Sequence, residues 1–490
     1  MVRLRYDVLA GVISSRAREE LMGSNLYNVL TSNIPNLNSE CLVAETESIS
    51  YAALLDQASR IARYLEQRGV TPGERVLVQA PKSVETVALY LATLKLGAIF
   101  VPLNTAYTPT EVEVFLADAE PVLFVQDPKA IAGEAAGLEP LAECTARSAD
   151  DIAAIVYTSG TTGRSKGAML THGNLAANAR ALCEAWAFGP NDALLHALPI
   201  FHVHGLFVAL HCALLSGSKM LWLERFDEAE VLRLLPRTTV MMGVPTFYTR
   251  LLASEGFSRE LAAGVRVFIS GSAPLLEQSF REFEERTGKR ILERYGMSEA
   301  VIITSNPLHG ERVAGSVGFP LPGVELRVSG GGDIGVIEIR GPSVFAGYWR
   351  DPVKTAEEFT ADGYFITGDL GRVDGDGRVW ITGRAKDLVI SGGYNVYPKE
   401  VELVLDELPG VEESAVIAVP HRDLGEAVVA IIVGDAPEAE VIAAARQKLA
   451  GFKVPKRVIA VPALPRNALG KVQKNLLRED HRHLFAAEPA

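Results

Sequence analysis

Apolar and amphipathic stretches alternate along the N-terminal part of the chain. Buried strands are predicted by four short apolar runs, namely Arg75–Ala80, Val122–Val125, Ile152–Tyr157 and Val265–Ser270. Between these runs, Ser83–Leu96 and Leu175–Ala187 carry apolar residues at helical spacing. Strands that alternate with helices in this way are typical of parallel sheets covered by helices, so this part of the chain predicts a large α/β domain.

The pattern changes near residue 315, where short β-like segments are separated by glycine, proline and aspartate. The segments Val324–Val328, Gly335–Arg340 and Arg378–Thr382 predict a β-rich subdomain over about residues 315–386. From Pro398 the alternation returns and predicts a compact α+β unit, with the elements Lys399–Leu408, Ser414–Val419, Val428–Val433, Glu438–Ala450 and Val458–Val461. We therefore predict an N-terminal domain over 1–386 and a small C-terminal domain over 387–490.

Composition and charge argue against several classes of function. The net charge of −12 disfavours a protein that binds duplex nucleic acid or an anionic membrane surface. No apolar run reaches the roughly 20 residues that a membrane span requires. The cysteines lie far apart without a Cys-x-x-Cys pair, so we expect a reduced, cytoplasmic protein without a cysteine-built metal site. The sequence leaves the oligomeric state open.

The first 21 residues are a separate question. Their apolar part, Tyr6–Ile13, is interrupted by Asp7 and is too short and polar for a secretory signal. Met22 could equally be the native start, in which case residues 1–21 are an extension, and we assign them no role.

A loop rich in glycine and hydroxyl groups follows the predicted strand Ile152–Tyr157. It contains Thr158, Ser159, Gly160, Thr161, Thr162, Gly163 and Lys166. Glycines allow the backbone to close around an anion, hydroxyl and backbone N–H groups bind its oxygens, and the lysine adds a cation. The loop is not a Walker A motif, because Gly163 and Lys166 are not adjacent. A polar surface loop is the alternative, but the ordered hydroxyls, the cation and the preceding strand favour an anion site.

This loop resembles the phosphate loop of the adenylate-forming superfamily, which includes acyl-CoA synthetases, beetle luciferases and the adenylation domains of peptide synthetases. The resemblance extends from about residue 25 to residue 480. It implies a large N-terminal domain, a small mobile C-terminal domain and an active site between them. It also implies that the chain binds ATP, Mg²⁺ and coenzyme A, activates a carboxylic acid as its adenylate and passes the acyl group to the thiol.

Two further motifs resemble nucleotide-binding residues of this superfamily. The first implies an adenine pocket at the end of a predicted strand, lined by Ser270, Gly271, Ser272, Ala273 and Pro274. The second comprises Arg294, Tyr295, Gly296, Met297, Ser298 and Glu299. By the resemblance, Tyr295 stacks on adenine and Ser298, which replaces the usual threonine, bonds the α-phosphate. Glu299 and Thr158 would hold Mg²⁺, which favours carboxylate and phosphate oxygens.

The ribose and hinge motifs follow in the same order along the chain. Asp369 would accept both ribose hydroxyls, although a β-turn is the alternative interpretation of its Gly-Asp sequence. Arg384 would contact the nucleotide, and Lys386 would be the pivot about which the small domain rotates between the two half-reactions. A surface turn is the alternative for this second motif.

The last motifs concern the two chemical steps. Gly392 and Gly393 would let the backbone approach the pantetheine arm of coenzyme A. Lys471 is assigned to adenylation, in which it would offset the charge between the carboxylate and the α-phosphate, while Lys166 would do so on the triphosphate. No general base is required, because the carboxylate is already ionised at neutral pH.

Three stretches are expected to shape the acyl pocket, namely Phe201–Leu206, Val244–Arg250 and Val301–Pro307. We interpret His202 and His204 as pocket-lining and gating residues rather than metal ligands, because no third ligand accompanies them. Together with Arg266–Leu276 and Ser391–Glu400, these stretches are similar to malonyl-CoA synthetases. That similarity implies malonate, and also methylmalonate, as the acid.

A dicarboxylic acid retains one carboxylate while the other reacts, so an arginine is expected in the pocket. The resemblance points to Arg281, with Arg250 in reserve, although Arg281 has Glu277 and Glu285 at i,i±4 as on a solvated helix surface. Ile302 and Ile303 stand where malonyl-CoA synthetases usually have a Met-Asn pair, which leaves room for 2-substituted malonates.

Three alternatives remain at this stage. The acid could be another short or medium carboxylic acid. The chain could be a free-standing adenylation enzyme that loads a carrier protein, although no carrier segment follows Lys471, which favours coenzyme A. It could also be a non-enzymatic nucleotide sensor, but such a chain would be expected to lack Glu299 or Lys471.

Overall fold

The structure is a computed structural model that describes residues 25–45, 47–158, 166–331, 333–392, 394–467 and 470–485. These residues form two compact units. The first comprises the described residues up to Glu325 together with Ile339–Phe365, and the second comprises Leu326–Glu338 together with those from Ile366 onward. The predicted domain boundary at residue 386 therefore falls inside the second unit, and it stays a prediction.

Fourteen strands belong to the first unit. In chain order they are β1 (Glu40–Val43), β2 (Ser48–Ser50), β3 (Arg75–Val78), β4 (Ile99–Pro102), β5 (Leu123–Val125), β6 (Ile152–Thr158), β7 (Lys166–Thr171), β8 (Ala193–His196), β9 (Lys219–Trp222), β10 (Val240–Gly243), β11 (Val267–Ser270), β12 (Leu292–Tyr295), β13 (Thr304–Ser305) and β14 (Ser316–Pro320). One sheet has the order β5-β3-β4-β6-β7, and the other runs β14-β13-β12-β11-β10-β8-β9-β1-β2. The pairs from β8 to β12 are parallel, as are those among β3, β4 and β5, so the predicted parallel α/β architecture is confirmed.

The helices of the first unit fill the connections between these strands. They are α1 (Leu26–Thr31), α2 (Tyr51–Gln67), α3 (Val84–Lys95), α4 (Pro109–Ala119), α5 (Pro128–Ala135), α6 (His172–Ala185), α7 (His211–Ser216), α8 (Glu228–Leu234), α9 (Pro245–Ala253), α10 (Arg259–Ala262), α11 (Glu277–Thr287) and α12 (Pro352–Glu357). A π-helix, His204–Leu210, precedes α7, and a short 3₁₀ turn, Leu235–Arg237, follows α8. Several begin at side-chain caps, as where the Ser83 hydroxyl accepts the Thr86 N–H ahead of α3.

The second unit contains two groups of strands. The first group has the order β15-β16-β17-β18, and most of its residues belong to this unit; its strands are β15 (Glu325–Ser329), β16 (Gly335–Arg340), β17 (Phe365–Val373) and β18 (Val379–Arg384). β17 and β18 are antiparallel. A second sheet is built from β19 (Val389–Ser391), β20 (Tyr394–Val396), β21 (Val411–His421), β22 (Gly425–Gly434) and β23 (Arg457–Val461). Its helices are α13 (Pro398–Leu405), α14 (Glu438–Lys448) and α15 (Lys474–His481), and a 3₁₀ turn, Ala385–Asp387, follows β18.

Each unit has its own apolar core. In the first, α9 and α11 pack on β10 and β11 through a buried group that includes Tyr248, Phe268 and Phe283. In the second, Val416, Val428 and other buried residues fill the space between the sheet and the helices α13 and α14. Within the described ranges, no helix is both long enough and apolar enough to cross a membrane.

Candidate active site

Two strands of the first unit bracket the predicted phosphate loop. β6 ends at Thr158 and β7 begins at Lys166, and these two residues are partners in the antiparallel register. The Thr158 hydroxyl donates to the Lys166 carbonyl oxygen at 3.5 Å. The loop residues Ser159, Gly160, Thr161, Thr162 and Gly163 lie outside the described residues, so their role in phosphate binding stays a prediction. The two ends of the loop, one with a hydroxyl and one with an ammonium group, leave the sheet as neighbours.

Glu299 and Lys166 are brought together by an aromatic residue that the sequence did not single out. The Tyr348 hydroxyl donates to a Glu299 carboxylate oxygen at 3.1 Å, and the Lys166 ammonium lies 5.0 Å from the centroid of the Tyr348 ring. Glu358 lies 3.7 Å from Lys166, and the Phe345 N–H donates to the Glu299 carbonyl oxygen at 2.7 Å. The carboxylate and the cation thus contact the same tyrosine, one at its hydroxyl and the other at its ring.

The tyrosine is placed by backbone pairing with β7. The Trp349 N–H donates to the Gly167 carbonyl oxygen at 2.7 Å, and the Met169 N–H donates to the Gly347 carbonyl oxygen at 2.9 Å. This pairing joins residues almost two hundred positions apart in the chain, so local sequence gives little sign of it. The sequence signal that could have identified this tyrosine is the Gly-Tyr-Trp run itself, in which two aromatic residues are adjacent.

Glu299 has the chemistry of a Mg²⁺ ligand. Glu299 is 6% exposed. Among the described residues, we find no group of three or more Asp, Glu, His or Cys side chains that could hold a metal ion. Mg²⁺ usually binds through one or two carboxylates together with water and substrate phosphates rather than in an all-protein cage. One buried carboxylate close to a lysine and to the ends of a predicted phosphate loop fits that mode of binding.

A histidine–arginine group lies at the carboxyl end of the parallel strands. His204 Nδ1 is 3.2 Å from the Ser272 hydroxyl, and the His204 N–H donates to His202 Nδ1 at 3.2 Å. Arg294, at the end of β12, packs its guanidinium against the backbone of Gly271, where an added Cβ would lie 2.5 Å from the guanidinium carbon. The sequence-predicted residues His202, His204, Gly271, Ser272 and Arg294 are therefore close together.

Burial and the charge of Arg294 together set the electrostatics of this group. Burial, and then the positive charge of Arg294, lowers the pKa of His202 to about 4. The same two causes, in the same order, lower the pKa of His204 well below its usual value. Both imidazoles are therefore neutral at neutral pH. Burial also lowers the pKa of Arg294 to about 10, a direction expected for a cation without a carboxylate partner.

Arg294 carries buried donors without acceptors. The residue is 4% exposed and is the only arginine in the buried class among the residues that the structure describes. Its Nε and Nη2 atoms have no hydrogen-bond partner, and His204 Nε2 has none either. An unpaired buried cation costs several kcal/mol, and orphaned donors add to that cost. An anionic ligand that accepted these hydrogen bonds would offset both.

The arginines that the sequence favoured for a carboxylate lie elsewhere. The Arg281 side chain is 68% exposed and donates to Glu277 at 2.8 Å, as the i,i+4 alternative describes. Arg250 is also exposed, and its guanidinium carbon lies 5.9 Å from the centroid of the Phe226 ring. Neither side chain is enclosed by the described residues, and the expectation of a pocket arginine at Arg281 or Arg250 stays a prediction. Both lie on helix surfaces that face solvent.

The remaining predicted residues of the first unit surround these groups. Ser270, at the end of β11, and Ile302 and Ile303 are buried. The residues after Ser270 and those between Arg294 and Glu299 are buried to different degrees, with Ala273, Tyr295, Gly296, Met297 and Ser298 half-buried and Pro274 exposed. The Asn178 amide donates to the Ile302 carbonyl oxygen at 2.8 Å, which fixes the backbone beside the isoleucine pair.

In the second unit, the predicted ribose and hinge residues meet on adjacent strands. Asp369 and Arg384 are register partners on β17 and β18, and their side chains form an ion pair at 2.6 Å. Burial of the amine, followed by the positive charge of Arg384, lowers the pKa of Lys471 to about 8, while Asp369 opposes that shift. The residue retains an exposed surface, so its amine is enclosed only in part. Lys386 lies in the 3₁₀ turn, Gly392 has a left-handed φ of 58°, and Gly393 lies outside the described residues.

Comparison with known families accounts for these motifs together. The model of the AMP-binding enzyme family matches residues 35–349, and that of the AMP-binding enzyme C-terminal domain matches residues 400–471. The chain belongs to the AMP-binding enzyme family. The resemblance to adenylate-forming enzymes drawn from the phosphate loop and the later motifs is thereby confirmed.

Relatives within the AMP-binding enzyme family are named for different acids. A malonate–CoA ligase of Arabidopsis thaliana is 35% identical, and the match covers 89% of this chain and 85% of the relative. A long-chain-fatty-acid–CoA ligase of Bacillus subtilis is 31% identical over 94% and 95% of the two chains. The crystal structure of ATP-bound MatB from Rhodopseudomonas palustris is 49% identical, with a TM-score of 0.92 and coverage of 95% of this chain and all of that one.

Proposed function

We propose that this AMP-binding enzyme is an ATP-dependent malonate–CoA ligase. It converts malonate to malonyl adenylate with release of pyrophosphate, and then transfers the malonyl group to coenzyme A with release of AMP. The malonate–CoA ligase of Arabidopsis thaliana supports the choice of acid, and the Bacillus subtilis relative shows that the family also takes fatty acids. A cytoplasmic location stays a prediction.

The observation that carries the choice of acid is the unpaired guanidinium of Arg294. Of the two carboxylates of malonate, one must reach the α-phosphate and the other must be held. Arg294 offers buried N–H groups without acceptors, and the neutral His204 beside it offers Nε2, which also has no partner. A carboxylate suits a guanidinium because both are planar and can form paired hydrogen bonds. The sequence placed Arg294 with the nucleotide, whereas its surroundings favour the acid.

The neutral histidines contribute to this selectivity. An imidazolium beside Arg294 would add a second charge, for which a monovalent carboxylate could not compensate. Because burial and Arg294 lower the pKa values of His202 and His204, the pocket presents one net positive charge to one carboxylate. A monocarboxylic acid would leave that charge unpaired, at a cost on the order of 1–3 kcal/mol or more.

The groups around the triphosphate are proposed to offset its charge. Lys166 and the loop that it follows would bind the phosphates, and Glu299 with Thr158 would hold Mg²⁺. Bound there, Mg²⁺ would neutralise phosphate charge as a Lewis acid. Tyr348 contacts both the Glu299 carboxylate and the Lys166 ammonium and so would help to place them at the triphosphate. Lys471 would offset charge between the two reacting anions during adenylation.

The isoleucine pair bears on the breadth of substrates. Ile302 and Ile303 are buried and offer methyl groups rather than an amide. An apolar wall does not strongly reject one additional methyl group, since a methylene is worth only about 1–3 kcal/mol in such pockets. We therefore propose methylmalonate as a second substrate.

An acid panel tests this proposal. AMP release is measured with and without coenzyme A for malonate, methylmalonate, acetate, butyrate and a long-chain fatty acid. We expect malonate and methylmalonate to have kcat/KM values at least one to two decades above those of the monocarboxylates. A preference for acetate or a fatty acid would contradict the dicarboxylate assignment and leave the ligase assignment intact.

Variants of the two arginines connect the preference to the geometry. Arg294→Met should raise the KM for malonate by roughly 10- to 100-fold, because it removes the only buried guanidinium among the described residues. The difference in kcat/KM between malonate and butyrate should become smaller. The ATP KM should change little. Arg281→Ala is the matched control and should use malonate normally, since its side chain faces solvent. A normal malonate KM in Arg294→Met would contradict the assignment of Arg294 to the distal carboxylate.

A further inference from the structure

A second buried cation, Lys82, lies behind the histidine pair in the first unit. The residue is 7% exposed and lies between β3 and the cap of α3. Its ammonium nitrogen is 2.8 Å from His196 Nδ1, 2.7 Å from the His196 carbonyl oxygen and 2.6 Å from the Leu223 carbonyl oxygen. The face of the Trp222 ring lies 4.0 Å away. Three acceptors and an aromatic face thus surround one nitrogen with three potential donors.

The hydrogen-bond count fixes which atom of His196 donates. Burial lowers the pKa of Lys82 well below its ordinary value. Two arrangements satisfy the contacts of its nitrogen. Either an ammonium donates to Nδ1 of a neutral His196, or a neutral amine accepts a hydrogen bond from Nδ1 of an imidazolium. Lysine is intrinsically the stronger base, and the Trp222 face stabilises a cation, so the ammonium is favoured. In both arrangements Nε2 of His196 carries a proton. That proton points to the Gly205 carbonyl oxygen, 3.0 Å from Nε2.

Gly205 is where this network reaches the acyl side of the site. It follows His204 directly and is the second residue of the π-helix. A Cβ at this position would lie 2.1 Å from the Pro199 carbonyl oxygen, so the backbone of Gly205 is pressed against the preceding turn. The Leu206 N–H donates to the His202 carbonyl oxygen at 2.9 Å. The Gly205 carbonyl therefore lies in the same short segment of backbone as the two histidines.

We propose that Lys82 and His196 are positioning residues that hold the Gly205 carbonyl, and through it the His202–His204 pair, in place for the distal carboxylate of the acid. The inference rests on the proposed function. Neither residue contacts the acid in this account. Lys82 sets the tautomer and orientation of His196, and His196 Nε2 anchors the start of the π-helix.

Two substitutions of His196 separate its two hydrogen bonds. The amide nitrogen of glutamine can take the place of Nε2 and still donate to Gly205, whereas asparagine offers an oxygen near Nδ1 and does not reach Gly205. We expect His196→Gln to keep the acid KM near the wild-type value. His196→Asn should raise it by roughly 10- to 100-fold, with the ATP KM unchanged. The measurement is ATP–pyrophosphate exchange at varied acid and at varied ATP.

Lysine substitutions test the other half of the network. Lys82→Met should raise the acid KM as His196→Asn does, because it removes the hydrogen bond to Nδ1 that sets the tautomer of His196. Lys95→Met is the matched control. Lys95 is an equally buried lysine at the other end of α3, and it donates to the Ser59 hydroxyl at 2.7 Å. Lys95→Met is expected to lower the midpoint of thermal unfolding without changing the acid KM.

The outcomes distinguish this inference from the proposed function. If wild-type enzyme prefers another acid, the proposed function fails, and the variants are then assayed with that preferred acid. Equal acid KM values in His196→Gln and His196→Asn would overturn the inference, as would a rise in the ATP KM as large as that in the acid KM. If Lys82→Met does not fold, the glutamine–asparagine comparison decides alone.

Discussion

Two residues beside the proposed acyl pocket have a left-handed backbone that their side chains disfavour. Val301 has a φ of 57° and Ser272 a φ of 73°. β-Branched residues rarely adopt this region, and such conformations cost of order 1–3 kcal/mol. The carbonyl oxygen of Val301 lies where a Cβ on Gly296 would come within 1.9 Å. The strain is thus stored where the chain passes from the nucleotide motif to the isoleucine pair.

Val301→Gly tests whether that strain is real. Glycine adopts positive φ without a penalty, so Val301→Gly removes the backbone strain. The stability gained in this way should offset much of the stability lost with the buried methyl groups. Val267→Gly is the control, because Val267 is equally buried, at 1%, but lies in the regular strand β11. We expect the free energy of unfolding to fall by about 1–2 kcal/mol less in Val301→Gly than in Val267→Gly. Urea unfolding followed by tryptophan fluorescence measures this, and equal losses would show that Val301 is unstrained.

The choice between Arg281 and Arg294 shows what residue-level sequence reasoning can reach. The need for an arginine followed from the chemistry of a dicarboxylic acid, and Arg294 is the residue that we propose for this role. Linear spacing gave the neighbours of Arg281 on its helix, and Glu277 is indeed its partner. It could not show that Arg294 turns inward against Gly271, since that contact joins the ends of two parallel strands. Tertiary pairing decides such cases.

At the scale of elements, hydrophobic periodicity located several strands and helices close to their observed bounds. The run Ile152–Tyr157 became β6 (Ile152–Thr158), and the stretch Ser83–Leu96 became α3 within its two capping residues. The π-helix His204–Leu210 was not predicted. Its apolar residues fit an ordinary helix, and its second residue, Gly205, packs closely against the Pro199 carbonyl. That contact is specified by packing rather than by periodicity.

Gly205→Ala tests the role of that contact. The added methyl group would lie 2.1 Å from a backbone oxygen, so the π-helix must shift or the preceding turn must move. Overpacking of this kind typically costs about 1–3 kcal/mol, and we expect at least that loss of stability together with a raised acid KM. Gly133→Ala is the control, because Gly133 lies in α5 with no atom within 4 Å of the added methyl group. It should be neutral or stabilising by up to about 1 kcal/mol, as measured by urea unfolding.

At the scale of the whole molecule, the chain is built from two units with separate cores. The β6–β7 hairpin, Glu299, Tyr348 and the histidine–arginine group belong to the first unit. Asp369, Arg384 and Lys471 belong to the second. The sequence predicted two domains from the length of the chain and the change of pattern, but its boundary at residue 386 rested on the hinge motif. The strands that carry Asp369 and Arg384 group with the C-terminal residues, and the boundary at residue 386 stays a prediction.

Lys471 offers a test of how one chain performs two half-reactions. Its amine is cationic below a pKa of about 8 and loses its charge as the pH rises through that value. If this charge is required only for adenylation, the adenylation rate should fall as the pH is raised above about 8. Lys471→Ala should lose on the order of 10²–10³-fold in adenylation at neutral pH, as expected when one preorganised charge is removed from a transition state.

Thioester formation from supplied malonyl adenylate should be largely unaffected by Lys471→Ala, since the α-phosphate no longer has to be approached by an anion. Lys471→Arg should keep the charge and lose the alkaline decline, because arginine stays protonated over this range. Lys448→Ala, which removes a solvated lysine of the same unit paired with Glu407, is the control and should leave both steps intact. Each half-reaction is measured separately, by pyrophosphate exchange and by thioester formation. Equal losses in both steps, or an alkaline decline that persists in Lys471→Arg, would assign Lys471 a structural role instead.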